Sequence, residues 1–352
     1  MNDTVTGAPS IDTAALGAWM DVQDLAPGAP IETSFIAGGS QNEIFEVRRG
    51  ELRLALRKPP QNAVPGRDDG IYREWQVIRA LTGTDVPHAR AYAHCPDPSV
   101  LGRPFYLMGF IDGWSPMAHQ DSGGFAEPFY TDRDSRAEIA FALVDGVARL
   151  GNVDWRSVGL AEFGRPDGFH ERQVDRWLSF WEKCRGRAGV AGMDAATQWL
   201  RTHRPIDFVP GIMHGDYQFA NVMFAHGRPG RLAAVVDWEM TTIGDPKLDL
   251  AWCLRDWPLQ GQTVSNSTNY MDLTTMPPRE KLLAHYAEVS GRQVEDFDYY
   301  LVLARWKLAV VLEQGFQNAG DNELLQSFGR TVDTLMGSAA ELAESTDYDV
   351  GP

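Results

Sequence analysis

Residues 212–224 read Ile-Met-His-Gly-Asp-Tyr-Gln-Phe-Ala-Asn-Val-Met-Phe, and residues 235–238 read Val-Val-Asp-Trp. These two stretches place a carboxylate at Asp216, an amide five residues later at Asn221, and a second carboxylate at Asp237. The residues beside them are apolar and typical of short strands. This pair of stretches decides more about the fold than any other part of the chain, because it sets three oxygen-bearing side chains at a fixed spacing.

The segment between the two stretches, residues 225–231, is rich in turn-forming residues. Apolar runs flank it on both sides, at residues 222–224 and 232–236. A turn between two apolar runs is typical of a β-hairpin. We therefore expect a hairpin that brings Asn221 and Asp237 side by side.

The spacing His-x-Asp-x-x-x-x-Asn is typical of the catalytic loop of kinases. Phosphoryl transfer needs an oriented hydroxyl, an in-line phosphate and a divalent metal ion that offsets the developing charge. Mg²⁺ takes oxygen ligands and keeps several waters, so that one amide oxygen and one carboxylate are enough to hold it. On this interpretation Asp216 orients the acceptor hydroxyl and takes its proton, while Asn221 and Asp237 hold Mg²⁺.

Residues 243–252 read Ile-Gly-Asp-Pro-Lys-Leu-Asp-Leu-Ala-Trp. Together with the two stretches above, they resemble the aminoglycoside phosphotransferase / choline kinase family, over about residues 30–320. Within that family the chain is most similar to the kinase-like domains found fused to acyl-CoA dehydrogenases. The resemblance implies an α+β, protein-kinase-like two-lobe fold that uses ATP and Mg²⁺. Its N-lobe is a small antiparallel β-sheet with one helix, and its C-lobe is larger and mostly helical.

The length of 352 residues favours two subdomains over one core. We predict an N-terminal extension, a nucleotide-binding N-lobe, a hinge, a C-lobe for catalysis and acceptor binding, and an acidic tail; their bounds are 1–30, 31–110, 111–114, 115–342 and 343–352. Alternating apolar residues from Thr33 to Leu56 predict three antiparallel strands. Helical periodicity predicts helices over 13–20, 71–81, 137–150, 170–185, 195–203, 248–254, 279–289, 294–318 and 323–342.

The resemblance assigns nucleotide contacts to several N-lobe positions. The loop that covers the ATP phosphates is expected at Gly38, Gly39, Ser40, Gln41 and Asn42. Arg57 stands at the end of the third predicted strand, where kinases carry a phosphate-binding Lys. A bulge would give this role to Lys58 instead, and both residues stay candidates. Glu74 is expected to pair with the cation, and backbone groups around Met108 and Phe110 are expected to meet adenine.

Four residues near the catalytic loop have supporting roles in this interpretation. His214 supports the loop by hydrogen bonding. Glu239 lies on the same side as Asp237 if the strand continues, and it is either a metal-side or acceptor-side contact or a surface residue. Asp245 and Asp249 cap a helix N-terminus and tie it to the catalytic loop. The tryptophans of this region, Trp238, Trp252 and Trp257, are expected in the core.

The net charge of −16 argues against nucleic acid or an anionic membrane as a partner. The N-terminus carries no signal-like pattern and the chain has no run of about 18 apolar residues. Cys95, Cys184 and Cys253 are widely spaced, which is typical of free thiols in a reducing compartment. We therefore expect a cytoplasmic protein whose partner is a small-molecule hydroxyl acceptor, and the oligomeric state stays open.

Three classes of function compete. The first is an ATP- and Mg²⁺-dependent phosphotransferase, whose acceptor is a hydroxy acid or hydroxyacyl compound by likeness to the dehydrogenase-fused domains, or alternatively an aminoglycoside. The second is a non-catalytic nucleotide-binding module, favoured by Arg57 and by Gly109, where related domains often carry Glu. The third, a metal-dependent hydrolase, is disfavoured because such enzymes need more His ligands than His214 alone.

Overall fold

The structure, a computed structural model, describes residues 10–38, 42–64, 66–262 and 271–348. These residues form two units. The first unit runs to Gly113 and includes Ala233–Thr241, and the second comprises Trp114–Leu232 and the chain from Thr242 onward. Both units combine strands with helices, as the predicted α+β class requires. The predicted C-lobe included residues 233–241, whereas the structure groups them with the first unit.

The first unit holds one antiparallel sheet in the strand order β1-β2-β3-β5-β4. Its elements are α1 (Thr13–Val22), β1 (Ile31–Gly38), β2 (Glu43–Arg49), β3 (Leu52–Lys58), α2 (Arg67–Ala80), β4 (Ala91–Cys95), α3 (Pro98–Leu101) and β5 (Phe105–Gly109). The prediction of three antiparallel strands is confirmed by β1, β2 and β3. Helix α2 begins four residues before the predicted start at Ile71, because Asp68 and Asp69 provide the negative charge that a first turn favours.

The core of the first unit explains why α1 belongs to it. Leu54 and Leu56 alternate along β3 and are fully buried on one face of the sheet. Leu16 and Met20 of α1 are buried in the same cluster. Each such side chain contributes roughly 1.5–3 kcal/mol on burial. The stretch predicted as an extension, residues 1–30, thus supplies a helix that completes the core.

The pairing of β2 with β3 is continuous from Glu43, opposite Lys58, to Arg49, opposite Leu52. A bulge here would have exchanged the roles of neighbouring residues, since successive side chains point to opposite faces. No register shift interrupts this pair of strands. Arg57 and Lys58 therefore lie on opposite faces of the sheet.

Most of the second unit is helical. Its elements are α4 (Arg136–Asn152), α5 (Phe169–Lys183), α6 (Met193–Thr202), β6 (Gly211–Met213), β7 (Val222–Phe224), the first residue of β8 (Leu232–Val235), β9 (Thr242–Gly244), α7 (Lys247–Leu254), α8 (Arg279–Ser290), α9 (Phe297–Gln317) and α10 (Glu323–Ser345). All seven helices predicted for this part of the chain are present, with ends displaced by up to three residues. Helix α10 continues to Ser345, into the stretch predicted as a tail.

Helix α9 forms the centre of the second unit and packs against α5, α6, α7 and α10. It is apolar on nearly every side, which is typical of a helix enclosed by others. Lys307 lies in the middle of it and is only 6% exposed. Within the described part of the chain, none of the helices has the length and apolar character needed to span a membrane.

Candidate active site

Strand β6 leads directly into the loop that carries the first motif, residues 214–221. Gly215 adopts φ of 86°, a left-handed conformation that glycine reaches without a steric penalty. The Tyr217 hydroxyl donates to the Leu143 carbonyl of α4 at 2.8 Å and holds the loop against that helix. Gly146 makes room for it, since a Cβ there would lie 2.2 Å from the hydroxyl oxygen. The loop is therefore fixed to the helical scaffold.

The Asp216 carboxylate is held by three neutral donors. Its Oδ1 accepts from Trp252 Nε1 at 2.7 Å and from Gln218 Nε2 at 2.8 Å. Its Oδ2 accepts from Asn221 Nδ2 at 2.8 Å. These bonds set the direction of the carboxylate without placing an opposite charge on it. A carboxylate held in this way has a fixed orientation.

The side-chain amide nitrogen of Asn221 forms its hydrogen bonds within the loop. Its Nδ2 donates to both the backbone carbonyl and the side chain of Asp216, each at 2.8 Å. The amide carbonyl oxygen is therefore the atom that Asn221 can offer to a ligand. Such an oxygen suits a hard cation such as Mg²⁺.

Asp249 joins α7 to the same loop. Its carboxylate accepts the backbone N–H groups of His214, at 2.5 Å, and Gly215, at 2.9 Å. Burial raises the pKa of Asp249, while these hydrogen bonds act in the opposite direction. His214 Nδ1 in turn accepts from the backbone N–H of Asp216 at 3.3 Å. The expected link between α7 and the loop is present, and so is the expected hydrogen bond within the loop, in which His214 is the acceptor.

Asp245 is a buried anchor at the start of α7. One oxygen accepts the backbone N–H of Lys247 at 3.1 Å, and the other accepts the Tyr300 hydroxyl at 2.5 Å and contacts His170 Nε2 at 3.1 Å. Burial by itself would raise the pKa of Asp245, but His170 and Lys247 hold it below its usual value. Asp245 thus meets the helix start as expected, whereas Asp249 lies inside the helix and caps nothing.

Lys307 is the residue of this region that the sequence reasoning missed. Its ammonium donates to the Gly215 carbonyl at 3.2 Å and lies 4.6 Å from the ring centroid of Trp252 and 5.1 Å from that of Trp177. Burial lowers the pKa of Lys307 to about 8, although Asp249 and Asp216 oppose this shift. The available signal was a lone Lys in an apolar helix, a position that Lys rarely takes without a partner.

The tryptophans behave partly as expected. Trp238, Trp252 and Trp257 are all buried, with 3–5% of their surfaces exposed, so their assignment to the core is confirmed. Trp252 also donates its indole N–H to Asp216, a contact that no sequence pattern indicated. Buried Trp N–H groups usually find an acceptor, and here the acceptor is the central carboxylate of the loop.

In the first unit, Arg57 joins two carboxylates. Its Nε lies 3.0 Å from Glu74 Oε2, and its Nη2 donates to Asp237 Oδ1 at 2.7 Å. The Tyr106 hydroxyl donates to Glu74 Oε2 at 3.0 Å. Burial raises the pKa of Glu74 to about 7, although Arg57 acts to lower it. The expected pair between Glu74 and a β3 cation is therefore present, and the cation is Arg57.

Lys58 belongs to a different environment. Its ammonium contacts Glu43 Oε2 at 2.7 Å and donates to the Pro59 carbonyl at 3.3 Å. It borders a cavity of about 500 Å³ whose wall also includes Asp12 and Gln61. The structure thus separates Lys58 from the carboxylates that hold Arg57.

Asp237 interrupts the strand that leads to it. Strand β8 ends at Val235, and Asp237 adopts φ of 67°, after which Trp238–Met240 form a single 3₁₀ turn. The alternation that would have put Glu239 on the same side as Asp237 therefore does not apply. Glu239 Oε2 instead lies 3.5 Å from Arg67 Nη1 of α2.

The remaining nucleotide positions are only partly described. Gly39, Ser40 and Gln41 lie outside the described residues, and Gly38 pairs with Glu43 at the end of β1. Met108 lies inside β5, opposite Ala55 of β3. The Phe110 N–H donates to the Arg53 carbonyl at 3.1 Å, and the Arg53 guanidinium lies 3.7 Å from the Phe110 ring centroid. This N–H is therefore already engaged.

The turn of the predicted β-hairpin is present in the structure. The Ala225 N–H donates to the Arg231 carbonyl at 2.9 Å, between β7 and β8. Asn221 belongs to the second unit and Asp237 to the first, and their convergence on one cation stays a prediction. In the described part of the chain, no three side chains of His, Cys, Asp or Glu lie together in a way that could hold a metal ion. The predicted site differs in kind, because it pairs one amide oxygen with one carboxylate.

A model of the phosphotransferase enzyme family matches residues 32–295. The chain belongs to this family. Acyl-CoA dehydrogenase family member 10 of Mus musculus is 27% identical over an alignment of 320 positions, which covers 89% of this chain and 29% of that protein. Acyl-CoA dehydrogenase family member 11 of Homo sapiens is 26% identical over an alignment of 354 positions, which covers 97% of this chain and 44% of that protein. The chain spans less than half the length of these relatives.

Solved structures agree with this assignment. A protein from Ralstonia eutropha, described as a candidate aminoglycoside phosphotransferase, superimposes with a TM-score of 0.79 at 28% identity, covering 95% of this chain and 99% of that one. Aminoglycoside 2'-phosphotransferase-IIIa, solved with GDP, superimposes with a TM-score of 0.62 at 13% identity, covering 93% and 99%. The predicted protein-kinase-like fold and the predicted resemblance are confirmed.

Proposed function

We propose that this family member transfers the γ-phosphate of ATP, in the presence of Mg²⁺, to a hydroxyl group of a small molecule. The observation that carries the proposal is the Asp216 carboxylate, fixed by Trp252, Gln218 and Asn221 in a loop of the catalytic spacing. A carboxylate without a paired cation can orient an acceptor hydroxyl and take its proton as the bond to phosphorus forms.

The other roles follow from the chemistry of the side chains. Asn221 and Asp237 would hold Mg²⁺ through an amide oxygen and a carboxylate oxygen, which are ligands that this ion accepts. When bound, Mg²⁺ supplies positive charge against the phosphate oxygens. Arg57 would meet the phosphates with a guanidinium whose position Glu74 fixes.

The remaining contacts concern the rest of the nucleotide. The loop from Gly38 to Asn42 would cover the phosphates with backbone N–H groups. Adenine would meet backbone groups after β5, around Met108 and Phe110. Because the Phe110 N–H is engaged by Arg53, Phe110 would contribute its carbonyl only.

The relatives suggest two classes of acceptor. Likeness to acyl-CoA dehydrogenase family members favours a hydroxy acid or hydroxyacyl compound. The description of the Ralstonia eutropha structure favours an aminoglycoside. The net charge of −16 supports a small molecule over nucleic acid or an anionic membrane. The free thiols of Cys95, Cys184 and Cys253 support a reducing cytoplasm.

ADP release tests the proposal directly. The protein is incubated with ATP, Mg²⁺ and a panel of hydroxy acids, hydroxyacyl thioesters and aminoglycosides, alongside the matched variant Asp216→Asn. We expect ADP release that depends on one acceptor class, and a loss of about 10²–10⁴-fold in kcat for the variant, because Asn cannot take the proton. Equal rates for the two proteins with every acceptor would contradict the proposal.

The alternative is a nucleotide-binding module without catalysis. Arg57 and Gly109 favour it, because both depart from the usual kinase residues. This alternative predicts that ATP raises the melting temperature while no acceptor stimulates ADP release. Measuring both ADP release and the melting temperature with ATP therefore separates the two functions.

A further inference from the structure

Lys307 is a buried cation to which the proposed phosphotransfer assigns no role. It is 6% exposed, in the middle of α9. Its ammonium has three hydrogens, and its contacts are a backbone carbonyl and the faces of two tryptophan rings. An ammonium taken out of water without a directly bonded carboxylate is costly. Its place against the motif loop therefore calls for an explanation.

We propose that Lys307 is a positioning residue for the Asp216 carboxylate, acting through the Gly215 carbonyl and through the ring of Trp252. The inference rests on the proposed phosphotransfer, for which Asp216 is the group that meets the acceptor. Lys307 itself touches neither Asp216 nor any substrate in this assignment.

The first path runs through the peptide backbone. Gly215 immediately precedes Asp216, and both of its backbone polar groups are held by charged side chains. Its N–H donates to Asp249 at 2.9 Å, and its carbonyl accepts from Lys307 at 3.2 Å. Hydrogen bonds with a charged partner are roughly twice as strong as neutral ones. The two bonds clamp a residue that has no side chain of its own to restrain it.

The second path runs through Trp252. The Lys307 ammonium lies over the indole ring, 4.6 Å from its centroid, while the indole N–H donates to Asp216 Oδ1 at 2.7 Å. A cation over the face of an indole is attracted to the ring. It also polarises the N–H towards its acceptor, since linked polar contacts strengthen one another in a low-dielectric interior. Lys307 thereby fixes the ring and strengthens its bond to the carboxylate.

A purely structural lysine makes a different prediction. If Lys307 served only to fill space, an apolar side chain of similar length would replace it with little change in stability, because the loss of one hydrogen bond is offset by the removal of a buried charge. Turnover would then be unchanged. The positioning role predicts instead that turnover falls while the fold keeps its stability.

The experiment compares Lys307→Met and Lys307→Arg with Arg187→Met. Arg187 lies between α5 and α6 and pairs at 3.1 Å with Glu313 of α9. Its replacement therefore serves as the control for damage to α9. For Lys307→Met we expect a fall in kcat of about tenfold or more, KM values within about threefold of wild type, and an unchanged or higher melting temperature. Lys307→Arg should restore part of kcat, and Arg187→Met should lower the melting temperature with kcat retained.

A Lys307→Met protein with kcat within about threefold of wild type overturns the inference. If that variant does not fold, Trp252→Phe replaces it, because Phe keeps an aromatic face for the ammonium but loses the N–H donor together with part of the indole ring. Its kcat should fall while its KM values hold; an unchanged kcat counts against the inference equally.

Hydrogen exchange separates this inference from the proposed function. A wild-type protein without any turnover refutes the phosphotransfer proposal, whatever Lys307 does. In that case, amide hydrogen exchange in the peptide covering residues 212–224 still tests whether Lys307 restrains the loop at Gly215. We expect faster exchange in Lys307→Met than in wild type and in Arg187→Met. Equal exchange in all three would refute the positioning role by itself.

Discussion

Arg57 in the first unit and Lys307 in the second are both buried cations near carboxylates, but they make opposite kinds of contact. Arg57 bonds directly to Glu74 and to Asp237. Lys307 bonds to a backbone carbonyl and to ring faces. The Asp216 carboxylate, two contacts away from Lys307, is consequently held by neutral donors only.

The contrast follows from the two cationic groups. A guanidinium is planar and offers several donors in a fixed fork, so it can join two carboxylates at once, whereas an ammonium is a compact charge that adapts to a carbonyl and to rings. Direct pairing with Glu74 and Asp237 fixes the position of the Arg57 guanidinium. The indirect support from Lys307 leaves Asp216 with neutral hydrogen-bond donors as its only side-chain partners among the described residues. Under the proposed function, the first cluster would bind the phosphates and the second would take part in the reaction.

The largest effect expected from this contrast concerns Arg57→Met, with Lys58→Met as its matched control on the same strand. Removing Arg57 leaves Glu74 buried without its cation, a change that costs about 3–5 kcal/mol. It should also abolish the rise in melting temperature that ATP produces. Lys58→Met should keep that rise, because Lys58 pairs with Glu43 on the other face. Urea unfolding and thermal melts with and without ATP provide the measurement.

The reverse pattern, in which Lys58→Met loses the ATP effect and Arg57→Met keeps it, would transfer the phosphate contact to Lys58. It would also remove the reason for assigning a binding role to the Arg57 cluster. Equal retention by both variants would refute a phosphate contact by either residue.

A smaller effect is expected on the pH dependence of the free energy of unfolding, through the titration of Glu74. Its folded pKa is about 7, whereas an unfolded chain has a Glu pKa near ~4.3. Because the folded value is raised, the protonated side chain contributes stability that is fully present below about pH 4.3 and is lost as pH rises towards about 7. The difference in the free energy of unfolding between wild type and Glu74→Gln should therefore change by up to about 4 kcal/mol over this window.

Urea unfolding of both proteins at several pH values between about 4.5 and 8 measures that shift. The other titrating groups cancel in the comparison, because they are present in both proteins. A difference that stays constant with pH, or that grows in favour of wild type as pH rises, would contradict the raised pKa of Glu74.

The smallest effect is expected for Tyr106→Phe. The change removes the hydroxyl that donates to Glu74 at 3.0 Å, and the loss of one such bond costs about 1 kcal/mol. Because that bond lowers the pKa of Glu74, the pH dependence of stability should move to higher pH in the variant. Repeating the pH series with Tyr106→Phe provides the check, and a shift to lower pH would contradict the hydrogen-bond assignment.

Much of this architecture could be predicted from local patterns. The alternation in β3 indicated which face carries Arg57, and the periodicity of α9 and its neighbours indicated the helices. These signals are local, because backbone geometry sets their period. The spacing from His214 to Asn221 also indicated the loop, since the chemistry needs a carboxylate and an amide at that separation.

The remaining features depend on contacts between residues far apart in sequence. Nothing near Lys307 indicates that α9 passes beneath Gly215, and nothing near Trp252 indicates that its N–H meets Asp216. The packing of α1 on the sheet has the same origin, because periodicity predicts a helix but not its partner. The condition for Glu239 to lie on the same side as Asp237 is not met for a local reason, since the left-handed conformation of Asp237 ends the strand that alternation assumed.

Metal binding in the presence of ATP tests the central claim most directly, namely that Asn221 and Asp237 share one cation beside Asp216. Electron paramagnetic resonance of Mn²⁺, used in place of Mg²⁺, measures the affinity in wild type, Asn221→Ala, Asp237→Ala and Asp216→Asn. The account predicts that both alanine variants lose about tenfold or more in affinity, while Asp216→Asn keeps metal and loses turnover. Unchanged Mn²⁺ affinity in either alanine variant would contradict it.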